Sequence, residues 1–298
     1  MSMRTAFIEQ LVLEATRHDN IFLLVGDLGY SVVEPFAQQF PDRYLNVGIA
    51  EQNMTGVAVG LAREGYNVFT YSIGNFPTLR CMEQIRYDVC YHEANVKIVA
   101  VGGGYAYGPL GVSHHTTEEL GMLRTIPNLN VLAPADPIEA RQLTSMLCNM
   151  TGPAYLRIGK AGEPLVHAVD TILQWGRFIP VLSGVNTVVL STGAMLKYAK
   201  DSIVANQLGY GLVSVPFIKP LNLDDLAQLS TQYERILTIE EHQRSGGFGS
   251  AILEGLHDLH EQGRISAIPR VKRVAIPDRF ISVSGTQNYL RDLAGLTL

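Results

Sequence analysis

Several short stretches place reactive side chains directly after apolar runs. They are Asp27 in "LLVGDLG", Glu51 in "NVGIAEQNMTGVAVGLA", Ser72 to Phe76 in "YSIGNF", the pair His114–His115 in "GVSHHTTEE", and Lys160 in "YLRIGK". Each alone has an ordinary explanation as a cap, turn or surface residue; together they suggest one shared site. Glu51 is the least ordinary. A first-turn glutamate gains about 0.3–1 kcal/mol from the helix dipole. Here, however, its neighbours Gly48, Ala50, Met54, Gly56 and Val57 are small or apolar. Such surroundings desolvate a carboxylate, and only a specific partner offsets that cost. The adjacent histidines could be metal ligands, surface residues or proton handlers, since imidazole titrates near neutrality.

The elements that must position these groups read as alternating strands and helices. Apolar, β-rich runs occupy 21–27, 44–50, 66–72, 96–103, 130–135 and 154–159, and after a pause they resume at 186–193, 211–217, 235–242 and 271–278. Continuous apolar runs suit parallel strands covered on both faces. Helical patterns fall near 195–208 and 247–262, and "MSMRTAFIEQLVLEATRHDN" reads as an amphipathic helix. The expectation is an α/β chain of two doubly wound domains, 1–165 and 186–298, joined by a linker at 166–185. In open α/β sheets, ligands sit beyond the carboxyl ends of the strands, where the residues above fall.

Composition narrows the class. With 298 residues, 47% hydrophobic and 17% charged, and no long uninterrupted apolar run, the chain reads as globular, with no membrane anchor and a cytoplasmic address by default. A net charge of -5 with mixed signs gives no basic stripe for nucleic acid. Cys81, Cys90 and Cys148 match no metal-ligand spacing and read as small buried hydrophobes. His242 in "TIEEHQRSGGFGS" precedes a Gly-rich turn that could hold phosphate at a helix start; a tight structural turn is the favoured reading. "GGG" at 102–104 is read as letting the backbone pass close to the site.

The segment "GIAEQNMTGVAVGLAREGYNVFTYS" resembles the pyrimidine-binding domain of thiamine-diphosphate enzymes of the transketolase and deoxyxylulose-phosphate synthase group. The likeness continues through "VGDLGYS", "CMEQIRYDVCY", "LGVSHHTTEELGMLRTIPNLNVLAPADPIEA" and "GPAYLRIGK", while 186–298, with "TIEEHQRSGGFGSAILEGL", resembles the transketolase C-terminal domain. The resemblance implies that Glu51 hydrogen-bonds N1′ of the aminopyrimidine of thiamine diphosphate, favouring the imino tautomer that takes the thiazolium proton. It makes Phe76 the stacking aromatic, with Tyr71 as competitor, and Asp27, Gln52 and Arg80 further cofactor-site candidates. It gives His114 contact with substrate oxygens and proton transfer, with His115 as a neighbour, and gives Lys160 the place of a phosphate-binding arginine.

Two departures qualify the resemblance. The family has an aspartate four residues before the histidine, where this chain has Leu110; an apolar group there would leave a substrate hydroxyl unpaired and alters the expected substrate. The "GDG" sequence of the family's diphosphate domain is absent, so no metal ligands are expected on this chain. The resemblance then implies half of an enzyme. A partner chain would bring the diphosphate and Mg²⁺ site, most simply in an α₂β₂ assembly, with a two-carbon ketol unit passing from a ketose, expected to be phosphorylated, to an aldose. A pyruvate-dependent carboligase of the deoxyxylulose-phosphate synthase type, a 2-oxoacid dehydrogenase β-subunit and a non-catalytic scaffold are the alternatives.

Overall fold

The computed structural model describes residues 2–298. The chain starts with helix Met3–Ala15, whose first turn is closed by the Ser2 hydroxyl accepting from the Thr5 N–H. Six strands of the first sheet follow: β1 (Ile21–Val25), β2 (Tyr44–Asn46), β3 (Asn67–Ile73), β4 (Val96–Val101), β5 (Asn130–Leu132) and β6 (Ala154–Ile158). They run parallel in the order β5-β6-β4-β3-β1-β2. β1, β4 and β6 are buried along their whole length, and apart from Lys97 in β4 and Arg157 in β6 they read as apolar runs. Helices Met3–Ala15 and Pro137–Cys148 cover one face and helix Glu51–Arg63 the other.

The second half contributes β7 (Ile179–Leu182), β8 (Thr187–Ser191), β9 (Gly211–Ser214), β10 (Phe217–Lys219), β11 (Arg235–Gln243) and β12 (Arg270–Ile276). Five of them form a sheet ordered β12-β11-β8-β9-β7, parallel except for β7. The chain is therefore two parallel-dominated α/β domains, as its alternating pattern implies. No helix of the described residues is long and apolar enough to cross a membrane.

Two elements differ from the pattern. β7 lies inside the stretch read as linker; it is an edge strand in which only Ile179 is buried, and Pro180 is tolerated there because an edge needs no complete ladder. The run 211–217 is not one strand. After Ser214 the chain passes Pro216, and β10 then pairs antiparallel with β5 on the edge of the first sheet. One apolar cluster consequently runs through both domains, from Leu24, Ile98 and Leu120 to Val188, Ile218 and Phe248.

The linker itself is pinned by carboxylates. Asp136 caps helix Pro137–Cys148 with Oδ1, while its Oδ2 accepts the N–H groups of Val166 and His167, each at 2.9 Å. His167 Nε2 lies 2.6 Å from Glu139 Oε1, which also accepts from the Ser214 hydroxyl at 2.6 Å. Burial pulls the His167 pKa down, but the hydrogen bond and charge of Glu139, with the charge of Asp136, outweigh it and leave it raised above 6.5. A histidine that binds its proton more tightly when folded adds stability below its unfolded pKa and loses it as pH rises through the folded value. The stability gap between wild type and His167→Asn, read by urea titration, should therefore be wider at pH about 5.5 than at about 8.5. A gap that does not change with pH would contradict this.

Candidate functional site

Glu51 begins helix Glu51–Arg63 at the carboxyl end of the first sheet and is 1% exposed. Residue 50 is an alanine without a side-chain cap, so the carboxylate sits in the first turn and turns inward. Its Oε1 accepts from the Ser72 hydroxyl at the end of β3, at 3.0 Å, and its Oε2 from the Arg80 guanidinium at 2.7 Å. Gly26, just past β1, makes the space: a Cβ there would stand 3.3 Å from both Glu51 Oε1 and Ser72 Oγ.

From Glu51 a line of contacts runs across the strand ends. The Arg80 guanidinium lies 4.6 Å over the Phe76 ring, and Phe76 meets the His114 ring edge-on at 5.3 Å. His114 neighbours Tyr107 at 6.2 Å, and the Lys160 ammonium stands 4.8 Å over the Tyr107 ring. Residues from four separate loops thus meet. Burial lowers the His114 pKa, and Ser113 Oγ is 3.0 Å from its Nδ1, so the imidazole is available as a neutral proton acceptor.

The histidine loop is held from below. Gly104 and Thr116 form an antiparallel bridge, Asn75 donates to the His115 carbonyl at 2.6 Å, and Arg157 donates to the carbonyls of Thr116 and Glu241. The "GGG" run serves this packing. A Cβ on Gly104, whose φ is +64, would fall 2.5 Å from the Glu241 carboxyl group, and one on Gly103 would meet Arg157 at 2.0 Å. Glu241, on β11 of the second domain, accepts from the Tyr105 N–H at 2.7 Å and from Gln287 and Arg291. It locks the two domains together beneath the site.

The other sequence candidates take distinct places. Tyr71 alternates to the opposite face of β3 from Ser72 and stacks on Phe7 at 5.9 Å, so it faces away from Glu51 and leaves Phe76 as the aromatic at the carboxylate. Asp27 (φ +52) follows Gly26 and accepts from Asn46 and Tyr30. Gln52 is exposed on the first helical turn. Leu110, 55% exposed, ends a short 3₁₀ turn four residues before His114. His115 points the other way from His114, edge-on to Tyr105 at 5.0 Å. The sequence marks Asn75 and Tyr107 only as members of the strand-end stretches 72–76 and 102–115, without roles of their own.

The Gly-rich turn after β11 has a structural occupant. Glu240 accepts the N–H groups of Phe248 and Gly249 at 2.6 and 2.7 Å, filling the helix start where a phosphate could have bound. His242 is buried; Nδ1 lies 2.9 Å from the Gln243 carbonyl, and Nε2 accepts from the Gly121 N–H of the first domain at 3.1 Å. Burial, with the charge of Arg157, pushes its pKa down to about 4, consistent with a neutral interdomain clamp. Among the described residues, the cluster of metal-capable side chains is His257, Asp258 and Glu261, exposed on helix Phe248–Glu261.

An aminopyrimidine is a flat ring with donor groups, and beside Glu51 and Phe76 the chain already places a flat donor. The Arg80 guanidinium lies on an aromatic face and against a buried carboxylate at once. The residues present therefore fit such a ring. Residues 1–162 match the family model for the transketolase pyrimidine-binding domain, and 179–298 that for the transketolase C-terminal domain. The chain is 31% identical to one of the subunits of the apulose-4-phosphate transketolase of Phocaeicola vulgatus, over 90% of this chain and 88% of that one. It is 29% identical to a 6-deoxy-6-sulfo-D-fructose transketolase subunit of a Clostridium species, over 99% and 90%. A solved split-gene transketolase, described as an inactive β4 tetramer, superposes with a TM-score of 0.86 at 30% identity, over 100% of this chain and 94% of that one.

Proposed function

The chain belongs to the transketolase family, and from that premise we propose that it is the pyrimidine-binding half of a split, thiamine-diphosphate-dependent transketolase, working with a partner chain that holds the diphosphate and Mg²⁺. The observation that carries this reading is the run of contacts Glu51–Arg80–Phe76–His114 at the strand ends. Support also comes from relatives described as transketolase subunits, which this chain matches over nearly their whole length. The partner and an α₂β₂ assembly are part of the proposal, supported by relatives described as transketolase subunits.

When bound, the cofactor supplies the electron sink that lets the bond beside a ketose carbonyl break and re-form. Glu51 accepts the ring N–H, with Ser72 holding one of its oxygens and Arg80 neutralising the other. Arg80 is 44% exposed, so its guanidinium could turn to water where Glu51 and Phe76 would hold a cofactor ring. His114 takes a proton from a substrate hydroxyl and returns it to the acceptor oxygen. Lys160, at the far end of the line, holds an anionic substrate group.

Replacing Lys160 by Ala should then raise KM for a phosphorylated ketose by about ten- to a hundredfold, the loss of one hydrogen bond to a charged group. KM for the unphosphorylated sugar should hardly move; equal effects on both would remove Lys160 from substrate binding. The substrate class is tested by co-purifying the chain with its partner and screening sugar phosphates, free sugars and pyruvate. Two-carbon transfer from a ketose supports the reading; turnover of pyruvate alone opposes it.

A further inference from the structure

Beside the histidine loop lies a cavity of about 130 Å³. Asn75, Tyr105, His115 and Thr117 of the first domain line it, and Arg279 and Phe280, after β12, close it from the second. Two acceptors here have no partner. His115 is 4% exposed and its Nε2 is unpaired; the buried Asn75 Oδ1 is also unpaired.

Both orientations are set by neighbours. Asn75 spends its amide N–H on the His115 carbonyl at 2.6 Å, so its oxygen cannot exchange places with its nitrogen without losing that bond. The other ring nitrogen of His115 is committed to the Gly108 carbonyl, which assigns the proton there and leaves Nε2 a lone pair. Burial, which lowers the His115 pKa, keeps the ring neutral. The cavity thus presents acceptors inward, and its charged lining groups, Glu118 and Arg279, are of opposite sign. At the two unpaired acceptors an anion finds no donor, whereas hydroxyl groups can donate to them and accept from Tyr105, Thr117, Gln243 or Arg279. A neutral molecule with hydroxyl groups matches it, and at ~30 Å³ per water the space is that of roughly four waters, or one three- to four-carbon polyol.

We infer that this cavity binds a short, uncharged polyol chain, one hydroxyl donating to His115 Nε2 and another to Asn75 Oδ1. The site takes ligand contacts from both domains, and it needs neither the cofactor nor the partner chain. The hydroxyls belong either to an unphosphorylated sugar substrate or to a free polyol.

Erythritol is the probe. Titrated onto the full chain and followed by ligand-observed NMR, it should bind saturably, and His115→Phe and Asn75→Leu should each weaken it by about tenfold or more. Asn75 is only partly buried, so its variant keeps the test intact if His115→Phe does not fold. A crystal structure with erythritol should place hydroxyls on both acceptors. In the partnered enzyme, competition between erythritol and an unphosphorylated ketose assigns the cavity to the sugar substrate, and binding without competition assigns it to a free polyol. No saturable binding, water alone in the cavity, or wild-type affinity in both variants would overturn the inference.

Discussion

Glu51→Gln is expected to lower turnover of the partnered enzyme by about a hundred- to ten-thousandfold, the usual contribution of a positioned acid–base group. The physical reason is specific. Gln keeps the shape and can still accept from Ser72, but it cannot carry the negative charge that Arg80 and a ring N–H both address. The fold should survive, since Arg80 is 44% exposed and can reach water, and a first-turn carboxylate contributes only about 0.3–1 kcal/mol to its helix. Turnover measured beside thermal melting checks this. A melting curve close to wild type with turnover nearly gone is the expected pair; unchanged turnover would take Glu51 out of the mechanism.

The second large effect is on stability. Glu241 is 4% exposed and receives the Tyr105 N–H, Gln287 and the guanidinium of Arg291, whose side chain is 10% exposed. Glu241→Ala would leave a buried guanidinium and a buried backbone donor without their acceptor. Breaking a buried pair by removing one partner costs about 3–5 kcal/mol. Urea unfolding should show a correspondingly lower midpoint. Because Tyr105 lies on the segment leading to Tyr107 and the histidines, activity should fall as well, even where the variant remains folded. A midpoint within about 0.5 kcal/mol of wild type, the range of ordinary surface changes, would show that the Glu241 carboxylate is not needed to hold the domains together.

Much of this arrangement is legible in the chain, and the illegible parts share a cause. β1, β4 and β6 announce themselves because burial on both faces favours apolar residues, with Lys97 and Arg157 the buried exceptions. Glu51 stands out for the same reason: a charge among small apolar neighbours is visible in one dimension. β7 and β10 do not stand out. They are short antiparallel edge strands of four and three residues, defined by distant partners, and β10 leaves its own domain to pair with β5. Tyr71 and Phe76 look equivalent in one dimension, whereas strand alternation separates them: Ser72 faces Glu51, so Tyr71 faces away. The Glu240 and Glu241 pair is the clearest limit. Adjacent in sequence and alike in charge, one caps the following helix and the other ties the domains, a division set by which face of β11 each occupies.

The central claim is that this chain supplies one half of a site whose other half lies on a partner. Its most direct test is the rate of two-carbon transfer with thiamine diphosphate and Mg²⁺, measured for each chain alone and for the two together. The account predicts negligible transfer by either chain alone, full transfer by the pair, and loss of that transfer with Glu51→Gln. Full activity from this chain by itself would contradict it.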